Sequence, residues 1–117
     1  MSRGRTAYFN GLAAEEVAAQ AYLAKGYRIL ARRWKVPEGE IDLIAHGEGM
    51  TIFVEVKARN TMAAALTALQ PAQISRLQAC ASAYLAQHEG LNSACRFDLV
   101  AVDRQGAVEI VENALHA

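Results

Sequence analysis

Long apolar runs are missing from this sequence. No stretch reaches the ~18 apolar residues that mark a membrane-crossing helix, so none is expected. The basic start, MSRGRTAYFNG, is not followed by the apolar core of a secretory signal. Cysteine is scarce as well. Cys80 and Cys95 stand in apolar surroundings without C-x-x-C spacing, and they read as buried free thiols of a reducing cytoplasm. His46, His88 and His116 have no ligand spacing. A zinc pattern, a phosphate-cradling glycine loop and a nucleophile elbow are all absent. There is no internal repeat and no low-complexity segment.

What is present suits one domain spanning residues 1–117, long enough for a core but not for a second unit. Apolar residues make up 53% of the chain, which excludes general disorder. Formal net charge is zero but unevenly spread. Residues 1–36 carry seven basic and two acidic side chains, and residues 37–117 carry five and ten. A basic first third and an acidic remainder suit a chain that grips phosphates with one part and holds cations with another. The bland alternative is a set of solvated faces.

Residues 6–24 are alanine-rich with apolar positions near helical spacing. Thr6 or Asn10 is the expected cap and Gly26 the expected stop. Residues 27–36 (YRILARRWKV), 40–45 and 50–58 read as three strands of an antiparallel meander, with turns at Pro37–Gly39 and across residues 46–49. Residues 60–69 read as a loop. Pro71 is placed to open a second helix reaching about residue 88, with Ile74, Leu77, Ala81, Tyr84 and Leu85 as its apolar stripe and Gly90 as its stop. Residues 95–103 and 107–111 read as two further strands, followed by a frayed tail. A meander, a crossover helix and another strand predict an α/β fold with a mixed sheet of four to five strands flanked by helices, in the order αβββαβ.

The stretch that organises the chain is GEIDLIA (39–45), a turn, then IFVEVKAR (52–59). Period-two alternation puts Glu55 and Lys57 on one face, and Asp42 can share it from the adjoining strand. Glu-x-Lys in a strand is a weak signal alone, because exposed antiparallel faces commonly alternate the two charges. Here apolar residues flank each charge and helices before and after cover the sheet, which argues against a solvated face. Charges in such a setting need a partner or a metal. Asp42 and Glu55 are the hard oxygen donors that Mg²⁺ or Mn²⁺ takes, and the Val56 carbonyl is a further candidate ligand. Lys57 is placed to orient or deprotonate an attacking water, or to stabilise a phosphorane-like charge.

GEIDLIA and FVEVKAR (53–59), together with Glu16-x-x-Ala19-x-x-Tyr22-Leu23, Gly26-Tyr27, Ile29-Leu30, Arg76-Leu77, Tyr84-Leu85 and RFDLVAV (96–102), resemble the YraN family of bacterial proteins. That family has a restriction-endonuclease-like fold within the PD-(D/E)xK nuclease superfamily, and the likeness covers nearly the whole chain. The resemblance implies Asp42 and Glu55 as metal ligands, Lys57 as the catalytic lysine, and Glu16 as a further acid reaching the site. Similarity to archaeal Holliday-junction resolvases extends the expected substrate to branched or damaged DNA. The sequence departs from the family's pattern at Glu15, where glycine is usual, at Arg33, where asparagine is usual, and at Gln73, where a lysine is usual.

Other residues have competing readings. Glu40 shares the parity of Asp42, although strand-end glutamates are commonly solvated. Arg28, Arg32, Arg33, Lys35 and Arg59 suit a path for nucleic-acid phosphates. Trp34 suits base stacking less well than core packing, and Asp98 suits a structural hydrogen bond better than catalysis. The expectation is a Mg²⁺- or Mn²⁺-dependent endonuclease acting on DNA, with a homodimer needed to cut both strands. The alternatives are a non-catalytic nucleic-acid-binding module and a protein-interaction subunit of the same fold.

Overall fold

The computed structural model describes residues 3–88 and 93–114, with side chains from Ala13 onward. The expected stop at Gly90 and the frayed end of the tail fall outside the described residues. Eight elements follow in order: α1 (Arg3–Ala24), β1 (Arg28–Val36), β2 (Gly39–Gly47), β3 (Met50–Ala58), α2 (Met62–Leu66), α3 (Pro71–His88), β4 (Cys95–Val102) and β5 (Val108–Val111). The strands form one sheet in sequential order. β1–β2, β2–β3 and β4–β5 are antiparallel, whereas β3 and β4 run parallel, joined by the α2–α3 crossover. This is the mixed α/β sheet flanked by helices, of restriction-endonuclease-like topology, that the motif order implied.

Each face of the sheet has its own core. On one face Ala14, Ala18, Ala19 and Tyr22 of α1 pack against Leu43, Ala45, Ile52, Val54, Val100 and Val102. On the other, Leu77, Cys80, Ala81, Tyr84 and Leu85 of α3 pack against Ile41, Ile44 and Phe53. The α3 residues recur at i, i+3, i+4, i+7 and i+8, which makes one apolar stripe on a helix. The alternation Ile52/Val54 against Phe53 sorts β3 between the two cores, as a strand buried on both sides requires. Trp34 is half-buried and meets Tyr84 edge-on with ring centroids 5.1 Å apart, so packing is its structural role.

Two boundaries differ from expectation. α1 begins at Arg3, so Thr6 and Asn10 lie inside the helix rather than capping it. Residues 60–69 are not all loop: α2 forms there because the Thr61 side chain accepts from Ala64 N at 3.1 Å and Ala65 is buried. An alanine run too short to show a stripe hides its helix from pattern reading. Gly26 ends α1 with φ 86°, the left-handed geometry expected of a helix stop. Gly47 serves a close approach: a Cβ there would run into the Tyr27 ring. The thiols are free, with Cys80 buried and Cys95 only half-buried.

Candidate active site

The site begins where a ladder fails. β2 and β3 pair from Gly47↔Met50 to Leu43↔Val54, and the register stops there. Asp42 Oδ2 instead accepts the Val56 N–H at 2.9 Å, so a side chain takes up a backbone donor that the strand partner no longer meets. The alternation of β2 breaks at the same residue. Leu43 and Ala45 belong to the core under α1, yet Ile41 lies with Ile44 in the core under α3. β1 breaks beside it: Ala31 and Trp34 both pack toward α3, and Arg33 between them has φ 48°. Two adjoining strands thus lose their period at Arg33 and Asp42, which turns the Asp42 carboxylate toward β3.

On β3, Glu55 and Lys57 follow Phe53 on the face toward α3, while Val54, Val56 and Ala58 pack toward α1. Lys57 Nζ lies 3.7 Å from Glu55 Oε1, and the two side chains are 10% and 15% exposed. The Asp42 and Glu55 carboxyls line one cavity. Burial first, and the Asp42 charge second, push the Glu55 pKa up to about 8, with Lys57 pulling it down. Two carboxyls in contact with one lysine leave an excess of negative charge when both ionise. A cavity of about 220 Å³ opens onto this group, lined also by Glu40, Gln73 and Arg76.

The other candidates lie further out. Glu16 is exposed, and its carboxylate accepts from Gln20 Nε2 at 2.9 Å and pairs with Arg32. Those bonds, Gln20 first and Arg32 next, hold its pKa below the ordinary carboxylate value. Glu16 and Asp42 line a common cavity of about 240 Å³. Among the described residues, no three or more His, Cys, Asp or Glu side chains come together to hold a metal ion. The acids at the centre are therefore a pair.

The basic candidates do not form one row. Arg33 pairs with Glu15 at 2.8 Å, so both arginines of the Arg32-Arg33 run are bonded to α1 acids. Arg28 sits at the far end of β1 opposite His46, Lys35 faces Glu40 across the strand pair, and Arg59 follows the end of β3. Arg76 and Gln73 of α3 line the cavity at the acidic pair; the first stood in a family motif and the second where that family has a lysine, but neither was expected among the site residues. The available signal was their place beside Leu77, at the sheet-facing edge of the α3 stripe.

A mixed sheet covered on both faces, with an acid pair and a lysine on its central strands, is the frame of a nuclease-like α/β protein. Residues 14–102 match the model of the uncharacterised protein family UPF0102. The chain is 44% identical over 114 residues to a UPF0102 protein of Ruegeria sp. (strain TM1040), covering 97% of this chain and 92% of that one. It is also 44% identical over 115 residues to one from Cereibacter sphaeroides (strain ATCC 17029 / ATH 2.4.9), covering 97% and 98%. A UPF0102 protein of Azorhizobium caulinodans is 42% identical over 113 residues, covering 96% and 86%. The chain belongs to the UPF0102 family, also called YraN. No helix among the described residues is long and apolar enough to cross a membrane.

Proposed function

We propose that this chain is a Mg²⁺- or Mn²⁺-dependent endonuclease of the PD-(D/E)xK superfamily, acting on branched or damaged DNA. The supporting observation is that Asp42 and Glu55 line one cavity with Lys57 Nζ 3.7 Å from Glu55 Oε1, in a sheet covered on both faces. Two hard oxygen donors fit a small dication that keeps several waters. When bound, such an ion lowers the pKa of a water and offsets charge on a phosphate.

The chain's own groups do the rest. Asp42 is held by the Val56 N–H, so its free oxygen keeps a fixed direction. Glu55 must lose its proton for the pair to bind a cation, because burial and the Asp42 charge favour its protonated form. Lys57 orients or deprotonates the water, or stabilises the developing charge. Glu16 completes the acid set once Arg32 releases it, and the Val56 carbonyl is a further oxygen donor. Arg28, Arg32, Arg33, Lys35 and Arg59 contact phosphates. One acid pair per chain serves one strand, so two copies act together on a duplex. The free thiols suit a cytoplasmic setting, and residues 1–117 act as one domain.

The experiment is cleavage of a four-way DNA junction by purified protein with Mn²⁺. Lys57→Ala is expected to remove cutting, roughly a hundredfold or more, with the circular dichroism spectrum unchanged. Equal cutting by the variant defeats the assignment. One observation favours a non-catalytic nucleic-acid-binding module instead: Asp42 already has a structural task at Val56. That reading expects salt-sensitive DNA binding without cutting, indifferent to metal.

A further inference from the structure

A cavity of about 270 Å³ lies apart from the acid pair, at the carboxyl ends of the parallel strands β3 and β4. Ligands of open α/β sheets dock in the crevice outside such strand ends. The wall is apolar, built from Ala14 and Val17 of α1 with Ala58 and Val102 from the two strand ends. The mouth is polar: Arg59, Asn60 and Arg104 line it and all three are exposed.

The mouth carries two guanidinium groups against one carboxylate, Asp103, a surplus of positive charge. Arg32, Arg33 and Arg96 each pair with a carboxylate. Neither Arg59 nor Arg104 has an ion pair among the described residues, and the Arg59 guanidinium donates to the carbonyl of the preceding Ala58. The acid lining the cavity, Asp103, is engaged elsewhere. Its Oδ1 accepts the N–H groups of Gln105 and Ala107 at 2.9 and 3.0 Å and closes the turn between β4 and β5. Two guanidinium groups and an apolar wall ask for a ligand with an anionic end and a flat apolar body. Guanidinium matches phosphate oxygens and also stacks on rings. The volume admits one such unit.

We infer that the cavity between Arg59, Arg104 and the α1 wall binds one nucleotide unit, its base against Val17 and Ala58 and its phosphate between the two arginines. Arg59 is two residues past Lys57, so strand rise puts their Cα atoms roughly 7 Å apart. The cavity opens on the α1 side of the sheet and the acid pair on the α3 side, so the subsite is separate from the proposed reaction centre. The choice of a nucleotide over another aromatic phosphate rests on the endonuclease reading; the unpaired arginines do not.

The test is a metal-free NMR titration of the full chain with three probes: deoxyadenosine monophosphate, a short single-stranded oligonucleotide and inorganic phosphate. The nucleotide is expected to shift the amides of Ala58, Asn60, Arg104 and Gly106, and to bind more tightly than phosphate alone. Arg59→Gln and Arg104→Gln should each weaken binding by roughly tenfold or more. Ala13→Phe, which plugs the cavity from an exposed helix position, should do the same without touching a charge. Asp42→Asn should leave it unchanged. Binding of the free nucleotide marks a mononucleotide site. Binding of the oligonucleotide alone, still lost in Arg104→Gln, marks a nucleotide within a strand. No binding by either, binding that survives both Arg104→Gln and Ala13→Phe, or loss in Asp42→Asn overturns the proposal. Since neither metal nor cutting enters this measurement, a failure of the nuclease reading and a failure of this site are told apart.

Discussion

Two buried acid clusters sit on opposite faces of the same sheet, and they are built in opposite ways. Toward α1, Asp98 of β4 is fully buried and meets four donors. Its Oδ2 accepts from the Tyr22 hydroxyl at 2.7 Å and from Arg96 Nη2 at 3.0 Å, and its Oδ1 from Arg96 Nε and Asn113 N at 2.9 Å each. A whole positive charge faces one negative charge, and burial with the Asp98 hydrogen bond holds the Tyr22 phenol protonated, well above its ordinary range. Toward α3, Glu55 shares a cavity with another carboxyl, and Lys57 lies 3.7 Å from Glu55 with Arg76 on the cavity wall. Among the described residues no buried side-chain polar atom lacks a partner. The difference between the two clusters is electrostatic. The first ties α1 and the turn after β5 to the sheet. The second sets two carboxyls beside one lysine on the α3 side, the group on which the proposed function rests.

The sharpest way to break this comparison is to treat the two clusters alike. Asp98→Ala strands the buried Arg96 charge and the Tyr22 hydroxyl, and should cost about 3 kcal/mol of unfolding free energy in urea. A cost near zero would mean that the Asp98 cluster is not structural.

Glu55→Gln should act in the other direction. Glu55 holds its proton to about pH 8 when folded, against 4.5 for the ordinary side chain. The folded chain therefore binds the extra proton within that window, and its stabilising share, complete below 4.5, is lost as pH rises through 8. Metal-free stability should fall across the window by at most about 1.4 kcal/mol per pH unit. Glu55→Gln should flatten that slope, as read from urea midpoints at about pH 5 and about pH 9. A slope unchanged in the variant would show that Glu55 is not the group responsible.

The smallest effect is expected outside both clusters. The Glu16–Arg32 pair is exposed, so Arg32→Gln should leave the urea midpoint almost unchanged. A large loss there would make the α1–β1 contact a second structural cluster.

Much of this frame was legible in the chain. Pro71 and the stripe from Leu77 to Leu85 located α3, and alternation in Met50–Ala58 set β3 and placed Glu55 beside Lys57 on one face. RFDLVAV showed a lone acid among apolar residues, the mark of a structural hydrogen bond, and Asp98 makes four. What stayed hidden depended on tertiary contact. Strict period-two reading cannot see the breaks at Arg33 and Asp42, because left-handed φ and ladder loss are set by neighbouring strands. Nor could it pair Glu16 with Arg32, or bring Arg76 to a cavity that strands and helix close only together.

The account turns on whether the Asp42–Glu55 pair is kept for a dication. Titration calorimetry with Mn²⁺ near pH 7, run in two buffers of different ionisation heat, measures this directly. The expected result is one ion per chain, bound with release of close to one proton from Glu55, and binding lost in Asp42→Asn. Absence of saturable heat at millimolar Mn²⁺, or the same isotherm from Asp42→Asn, would contradict it.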